Sequence, residues 1–258
     1  MLNLLNTTEI EIWPASILQL RSSRLARWCS HAHSVLRRKK DGYILAMCMP
    51  DKIQTCLRPL APKQATDYAI KIACCNQNAF ALQLPDIFPQ MEALLHELEI
   101  DPTSYQKITG LEIHSEPGKL FYAGQDRFRR AIWLTHTAAL AWRKMQRSAA
   151  EQGIILEVVS AYRSHYYQKA LILNKRRKGQ SLTHILGVNA APGFSEHHSG
   201  RAVDLSTPDF PAATQCFEHS EAFSWLQNHA AAFGFSMTYP RHNPHNIQYE
   251  PWHWCHHS

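Results

Sequence analysis

The stretch "GFSEHHSGRAVDLSTPDF", residues 193–210, brings two histidines, a glycine and an aspartate close together in the sequence. His197 and Asp204 are seven residues apart, and Gly200 lies between them. A segment of this kind can leave a loop at the histidine, turn at the glycine and enter a strand through "AVDL". The aspartate would then project from the strand beside the histidine. The pattern therefore predicts two ligands of a metal site, with a third expected elsewhere in the chain.

A second stretch, "YEPWHW" at residues 249–254, offers the missing ligand. A catalytic zinc needs three protein ligands, one open position for water and a general base nearby. His253 is a candidate for the third ligand, and Glu250 precedes it by three residues. If Pro251 bends the segment, that offset can place the Glu250 carboxylate near the open coordination position. Among sixteen histidines a single pair carries little weight, whereas the combination with both carboxylates indicates a zinc site.

The chain from residue 106 onward mixes helical and strand patterns without a regular βαβ rhythm. Residues 125–153 have the apolar periodicity of one long helix, with Gly153 suited to its C-terminal end. "IILEVVSAYRS", residues 154–164, is rich in β-branched residues and predicts a buried strand. These patterns predict an α+β fold, in which a small, mainly antiparallel sheet with flanking helices carries a single zinc site.

The N-terminal region, residues 1–105, contains the strand-like segments "EIEIW" and "GYILAMCM" on either side of an arginine-rich helical pattern. No combination of residues in this region predicts a chemical site. The sequence therefore predicts a chain in two parts. The first is an N-terminal α/β extension of unassigned role, residues 1–105, and the second is the zinc domain, residues 106–258.

The composition is that of a globular protein, since 45% of the 258 residues are hydrophobic and 19% are charged. No run approaches the roughly 18 apolar residues of a membrane-spanning helix. The first residues lack the basic start and the uninterrupted apolar stretch of a secretory signal. The seven cysteines, an odd number without regular spacing, do not suggest a disulfide framework. Together these features predict a cytoplasmic protein whose thiols stay reduced.

The formal net charge is +6, and basic residues cluster at 37–40 and 175–178. Such clusters can bind nucleic acid, but no nucleic-acid-binding motif accompanies them. The first cluster leads into a predicted turn at Asp41 and Gly42, and the second ends a predicted helix, where cations suit the helix dipole. Both are therefore predicted to be solvated segments, with no nucleic-acid partner. Nothing in the sequence specifies an oligomeric state.

Three motifs in the second half of the chain occur together in one known family. "SEHHSGRAVD", residues 195–204, matches the pattern S-x-H-x-x-G-x-A-x-D, and "EPWHW", residues 250–254, matches E-x-W-H. Upstream, "SAYRSHYYQ", residues 160–168, contains the arrangement Y-R-S-x-x-x-Q. All three follow the order found in VanY-type zinc carboxypeptidases. Residues 106–258 therefore resemble this family of D-alanyl-D-alanine carboxypeptidases and related peptidoglycan peptidases.

The resemblance implies a Zn²⁺ cofactor, one ion per chain, with three ligands: His197, Asp204 and His253. It also implies that Glu250 is the general base that takes a proton from the attacking water. Arg163 would lie near the scissile carbonyl or the substrate carboxylate, where a planar cation stabilises negative charge.

The same resemblance implies three further residues at the substrate site. Ser195 and Gln168 are expected to line it. Trp252 is expected either to contact the substrate or to pack in the core and hold its neighbours Glu250 and His253 in place. His198, next to a predicted ligand, is expected to point away from the metal.

The implied activity is removal of the terminal D-alanine from peptidoglycan stem peptides or muropeptides. Within the family, D,D-enzymes act on pentapeptides and L,D-enzymes act on tetrapeptides. The missing export signal favours L,D-cleavage of tetrapeptides during muropeptide recycling in the cytoplasm. One alternative is a peptidoglycan endopeptidase of the same fold. Another is a non-catalytic, zinc-containing module that binds cell-wall peptides, although such a module would be expected to have lost Glu250 or Arg163.

Overall fold

The chain forms two compact units in the computed structural model, which describes residues 1–18, 23–55, 63–74 and 88–257. The first unit contains Met1–Ile87 with Gly118–Phe121, and the second contains Phe88–Pro117 with Tyr122–Ser258. Residues 88–105 thus belong to the second compact unit. The start of the zinc domain at residue 106 is a separate question and stays a prediction.

An antiparallel sheet and two helices make up the described part of the first unit. Its first five strands are β1 (Asn3–Asn6), β2 (Ile10–Pro14), β3 (Ser34–Arg38), β4 (Ile44–Cys48) and β5 (Ile53–Thr55). The first residues of β6 (Lys119–Gln125) pair antiparallel with β1, which gives the order β5-β4-β3-β2-β1-β6. The helices are α1 (Ser23–Cys29) and α2 (Lys63–Cys74), and α2 buries Ala69 and Ile72 against the sheet. The predicted mixture of helix and strand in this region is confirmed.

The first basic cluster enters a turn, as the sequence predicts. Asp41 accepts a hydrogen bond from Arg38 Nε at 2.9 Å, and the backbone N–H of Tyr43 donates to the same carboxylate at 3.1 Å. Gly42 has a φ of 71°, in the left-handed region that glycine tolerates best. Local pairing to Asp41 therefore accounts for part of this positive charge.

The second unit combines six helices with strands in its described residues. The helices are α3 (Phe88–His96), α4 (Pro102–Thr109), α5 (His136–Glu151), α6 (His165–Arg177), α7 (Leu182–Leu186) and α8 (Glu221–His229). The strands after β6 are β7 (Ala131–Leu134), β8 (Glu157–Ser160), β9 (Ala202–Ser206), β10 (Phe235–Met237) and β11 (His253–His256). Strands β10, β11, β9 and β8 form a sheet in that order, with every neighbouring pair antiparallel. The predicted α+β fold, with a small antiparallel sheet and flanking helices, is confirmed.

Strand β9 lies between the two strands that carry the other motifs. Asp204 of β9 is the register partner of His253 on β11 and of Ser160 at the end of β8. A 3₁₀ turn, Glu196–Ser199, precedes β9 and ends at Gly200 with a φ of 65°. This turn at the glycine is the geometry that the sequence predicted, and it brings all three motifs to one end of the small sheet.

One element differs from the prediction. Residues 125–153 read as a single helix, but Ala131–Leu134 form strand β7 and the helix begins at His136. Ile132, Trp133 and Leu134 are all buried. A short, fully buried strand has no alternation of exposed and buried residues, so periodicity cannot distinguish it from the start of a buried helix.

A hydrophobic cluster contains the residues that lead into the 3₁₀ turn Glu196–Ser199, which carries predicted ligand His197 and is called the ligand-bearing turn. Phe194 is fully buried, and its ring centroid lies 5.0 Å from that of Tyr105. Gly193 has a φ of 90°, and a Cβ atom at this position would lie 2.2 Å from Met91 Sδ of α3. Any other residue would need both a strained backbone and a shift of the Met91 side chain, so glycine suits this close approach to α3. None of the helices in the described ranges is long and apolar enough to span a membrane.

Candidate metal centre

The three predicted ligands meet in the buried interior of the second unit. His197, Asp204 and His253 are 2%, 5% and 2% exposed, and each offers one ligand atom. These atoms all lie within 4.8 Å of one another. In the described part of the chain, no other group of three His, Cys, Asp or Glu side chains meets this criterion. The structure therefore brings together residues that are as many as 56 positions apart in the sequence.

His197 presents one ring nitrogen to the centre and uses the other to fix its orientation. Nδ1 donates to the carbonyl of Ala161 at 2.7 Å, which leaves Nε2 facing Asp204 Oδ1 at 3.2 Å. Burial and the nearby charge of Arg163 lower the pKa of His197 to about 4. The ring is therefore neutral at pH 7, with a lone pair on Nε2, which is the state that coordinates a metal.

Asp204 is the hub of the centre. Its Oδ1 lies 3.2 Å from His197 Nε2 and 3.0 Å from His253 Nδ1, while its Oδ2 accepts from Arg163 Nη2 at 2.9 Å. Burial disfavours the charged carboxylate, but the interactions with His197, His253 and Arg163 hold the pKa well below its usual value. Asp204 is therefore ionised at pH 7.

His253 lies between two carboxylates. Its Nδ1 faces Asp204 Oδ1 at 3.0 Å, and its Nε2 is 2.8 Å from Glu196 Oε2, which also accepts from Thr238 Oγ1 at 2.7 Å. Burial lowers the pKa of His253, but hydrogen bonds to Asp204 and Glu196 raise it to about 10. Without a metal, a proton on Nδ1 thus occupies the direction in which a metal would be bound.

Glu250 lies at the edge of this centre. It is 9% exposed, and its Oε2 is 4.0 Å from His253 Nδ1. The His253 amide donates to the Glu250 carbonyl at 3.1 Å, and the Glu250 amide donates to the Tyr239 carbonyl at 3.1 Å. Burial raises the pKa of Glu250 to about 7 despite the opposing charge of His253. A carboxyl group of this kind can both accept and return a proton near neutral pH.

Arg163 and Gln168 form a connected pair beside Asp204. Arg163 Nη1 donates to Gln168 Oε1 at 3.3 Å, and Gln168 Nε2 donates to the Ala190 carbonyl at 2.8 Å. The Nε atom of Arg163 is buried and has no hydrogen-bond partner among the described residues. Gln168 therefore uses its amide to hold Arg163, and Arg163 keeps one donor free.

A pocket of about 640 Å³ opens over these residues. Its wall includes all eight predicted site residues: Arg163, Gln168, Ser195, His197, Asp204, Glu250, Trp252 and His253. The Ser195 side chain makes no hydrogen bond to another described residue. Trp252 is half-buried and reaches the pocket wall, and its carbonyl accepts from Leu205 at 2.8 Å. Both side chains are placed where a bound molecule could touch them.

Two residues near the centre make contacts that the sequence did not predict. Glu196 lies next to predicted ligand His197 but was given no role, although it contacts the other histidine of the centre. His198 points away from the metal centre as predicted, but it is completely buried. Its Nδ1 donates to the Arg163 carbonyl at 2.7 Å, and its ring packs edge-on against His165 with centroids 4.3 Å apart. The signal available in the sequence was their position, because Glu196 and His198 are the two residues directly next to predicted ligand His197.

Known proteins resemble the second half of the chain. The family described as D-alanyl-D-alanine carboxypeptidase, VanY, matches residues 131–258. "Putative carboxypeptidase YodJ" of Bacillus subtilis (strain 168) is 34% identical over 135 residues, which are 47% of this chain and 45% of the relative. A D-alanyl-D-alanine carboxypeptidase of Enterococcus faecalis (strain ATCC 700802 / V583) is 29% identical over 106 residues, 40% of this chain and 34% of the relative. The chain thus spans less than half the length of these curated relatives.

Solved structures include the LdcB LD-carboxypeptidase, 30% identical, with a TM-score of 0.49 over 55% of this chain and 69% of that one. A Zn(II) complex of the vancomycin-resistance D,D-pentapeptidase VanY is 22% identical, with a TM-score of 0.44 over 57% of this chain and 86% of that one. The family assignment therefore rests on the sequence matches and not on these structural overlaps. Through residues 131–258, the chain belongs to the VanY family of D-alanyl-D-alanine carboxypeptidases.

Proposed function

We propose that this protein is a zinc-dependent carboxypeptidase that releases the terminal D-alanine from peptidoglycan stem peptides. The observation that carries the proposal is the convergence of His197, Asp204 and His253, with the Glu250 carboxylate 4.0 Å from His253 Nδ1. Buried metal-ligating groups beside a carboxyl group of raised pKa, at a pocket, are what a metal-assisted hydrolase requires. Membership in the VanY family supports the same reaction class.

The donor set fits zinc. Two imidazole nitrogens and one carboxylate oxygen are a common set of three protein ligands for a catalytic zinc, and they leave one position open. His197 and His253 each hold their second nitrogen in a hydrogen bond, to the Ala161 carbonyl and to Glu196, as metal-ligating histidines usually do. When bound, zinc would supply a water of lowered pKa and polarise the scissile carbonyl.

Glu250 and Arg163 supply the proton transfer and the charge stabilisation. Glu250 takes the proton of the attacking water at its carboxylate and returns it to the departing amine of D-alanine. Arg163 is held by Asp204 and Gln168 and lines the pocket, where its guanidinium charge stabilises the negative charge that develops on the carbonyl oxygen. Because Asp204 and Gln168 fix the guanidinium in advance, little reorganisation is needed during the reaction.

The substrate contacts proposed beyond Arg163 are Ser195 and Trp252. The Ser195 hydroxyl is free to donate to or accept from a peptide group, and the half-buried Trp252 ring offers an apolar face. Gln168 would act through Arg163, because its amide is already bonded at both ends. We place this activity in residues 106–258 and leave residues 1–105 without an assigned role.

The finer proposal concerns the substrate and the compartment. We propose L,D-cleavage of tetrapeptides from recycled muropeptides in the cytoplasm. Five cysteines of the described residues are free thiols, and three of these are buried, which favours a reducing compartment.

The test is to load the purified protein with zinc and supply tri-, tetra- and pentapeptide muropeptides separately. Mass spectrometry then identifies the products. Loss of one alanine from the tetrapeptide supports L,D-cleavage, and loss of one alanine from the pentapeptide alone changes the specificity to D,D. Cleavage inside the stem would make the protein an endopeptidase. Tight peptide binding with zinc present and no cleavage would make it a binding module.

A further inference from the structure

The pocket wall contains a positively charged side chain that has no role in the proposed catalysis. Lys175 lies near the end of α6, inside the second basic cluster, and its side chain reaches the same pocket as Arg163 and Glu250. The sequence predicted that this cluster ends a helix, which it does, and that it is a solvated segment. Lys175 is instead half-buried. It therefore needs an explanation separate from that of its exposed neighbours Arg177 and Lys178.

Helix geometry directs Lys175 toward the reaction centre. Gln168, Leu171 and Lys175 all line the pocket, at the spacing of residues that share one face of a helix. Seven residues at about 1.5 Å each place the Lys175 Cα roughly 10 Å along the axis from that of Gln168. Long helical side chains lean toward the N-terminus of their helix, so the Lys175 stem points back toward Gln168 and Arg163.

The electrostatic surroundings agree with this direction. Burial and the positive charge of Arg163 lower the pKa of Lys175, while the negative charge of Glu250 raises it. Its ammonium group thus interacts with the residue proposed to stabilise the oxyanion and with the residue proposed as the base.

Lys175 differs from the other two cations of the pocket wall in having no acceptor. Arg130 donates to Asp126 Oδ2 at 2.6 Å and to the Val159 carbonyl at 2.9 Å. Arg163 donates to Asp204 at 2.9 Å and to Gln168. The Lys175 ammonium makes no hydrogen bond or ion pair with any residue in the described ranges. A partly desolvated cation without a partner carries an energetic cost that a bound anion would relieve.

We propose that Lys175 forms a carboxylate-binding subsite of the pocket and holds an acidic group of the peptide substrate. The inference rests on the proposed peptidase function, because it requires a peptide in the pocket. A carboxylate bound there would accept a charge-assisted hydrogen bond from an ammonium that is already directed inward. Two carboxylates of a peptide share this chemistry: the one at its C-terminus and one on a residue before the scissile bond.

The test measures peptide binding by calorimetry to zinc-loaded protein carrying Glu250→Gln, so that hydrolysis does not interfere. Three further variants are made in this background: Lys175→Met, Lys175→Arg, and Lys178→Met as the control at an exposed position directly after α6. Four synthetic peptides ending in D-alanine are compared. They combine a free or amidated C-terminus with a glutamate or a glutamine before the terminal residue.

We expect Lys175→Met to weaken binding about tenfold, the range for loss of a charge-assisted hydrogen bond at a partly exposed group. This loss should vanish for peptides that lack one of the two carboxylates, and that carboxylate is then the one bound. Lys175→Arg should retain most of the affinity, and Lys178→Met all of it. Thermal unfolding of each variant checks that it is folded.

If Lys175→Met binds all four peptides as tightly as the Glu250→Gln protein that retains Lys175, the inference is overturned. So would an equal loss of affinity with all four, because the effect would then be independent of any carboxylate. Both outcomes leave the proposed peptidase function standing if the wild-type protein releases D-alanine. If no peptide binds and none is hydrolysed by the wild type, the proposed function fails as well, and the inference fails with it.

Discussion

The two sides of the pocket differ in how their polar groups are satisfied. On the side formed by β9 and β11, Asp204 and His253 are register partners, and their polar atoms all have partners within the protein. On the side formed by α6 and the start of the ligand-bearing turn, Lys175 and the Ser195 hydroxyl make no such contact within the described chain. Groups that are already paired hold a fixed geometry, whereas unpaired groups can bind a ligand. The side formed by β9 and β11, called the paired side here, is therefore suited to chemistry. The side formed by α6 and the start of the turn, called the recognition side, is suited to binding a ligand.

The largest effect is expected from removing the hub of the paired side. Asp204→Ala should reduce zinc content to background and abolish hydrolysis, because it removes a ligand and leaves Arg163 without its carboxylate. Breaking a buried ion pair from one side also typically costs about 3–5 kcal/mol, so the free energy of unfolding should fall. Elemental analysis and chemical denaturation measure the two effects. Asp209→Ala, in an exposed position beyond β9, is the control, and full zinc content in Asp204→Ala would refute the ligand assignment.

Arg163→Ala tests the second charged partner of Asp204. Loss of one preorganised donor to a developing oxyanion typically lowers kcat about 10²–10³-fold, and we expect a loss in that range. Zinc should remain bound, since no metal ligand is removed. Steady-state kinetics with the preferred muropeptide separate kcat from KM, with Arg147→Ala on the exposed face of α5 as the control. A change confined to KM would mean that Arg163 binds the ground state only.

Glu196→Ala tests whether the paired side needs its outer carboxylate. Glu196 touches no predicted substrate position but holds His253 through Nε2 at 2.8 Å. Loss of such an outer partner typically weakens metal affinity about 10–100-fold, and we expect this effect with His253 intact. Competition with a zinc chelator measures it. Glu196→Gln should recover part of the affinity, and Glu151→Ala at the exposed end of α5 should lose none; unchanged affinity in Glu196→Ala would remove the positioning role.

The smallest effect is the release of protons when zinc binds. The pKa of His253 in the metal-free protein is raised to about 10, so its proton is retained as the pH rises from 6.5 toward that value. This raised pKa stabilises the metal-free fold fully below pH 6.5, and the contribution is lost as the pH rises through about 10. At about pH 8.5, where the Glu250 proton is already lost, zinc should release close to two protons, one from His253 and one from the bound water, whose pKa zinc lowers to about 7. Calorimetry in two buffers of different ionisation enthalpy counts the protons, and a count of one or less would mean that Asp204 and Glu196 do not hold His253 charged.

The paired side could be predicted from the sequence because its information is local. The spacing from His197 to Asp204 with a glycine between them requires one turn and one strand, and both were found. Glu250 and His253 needed only a bend at Pro251. Each motif therefore carried its own geometry, and the antiparallel register of β9 and β11 completed it.

The recognition side could not be predicted in the same way. Lys175 reads as one of four consecutive basic residues at a helix end, and only the packing of α6 shows that it faces inward while Lys178 is exposed. The role of Glu196 depends on His253, which is 57 residues away in the sequence. Strand β7 was missed for a related reason, since burial on both faces removes the periodicity on which a strand prediction depends.

The most direct test of the central claim is a paired measurement on one sample of Glu250→Gln. Glutamine keeps the size and hydrogen bonding of the side chain but cannot take a proton from water. Zinc content and D-alanine release are determined on the same preparation, beside the wild-type protein. We predict normal zinc content with the rate lowered about 10²–10⁴-fold, the usual effect of losing a general base. Near wild-type hydrolysis with zinc intact would contradict the account, because another group would then be the base.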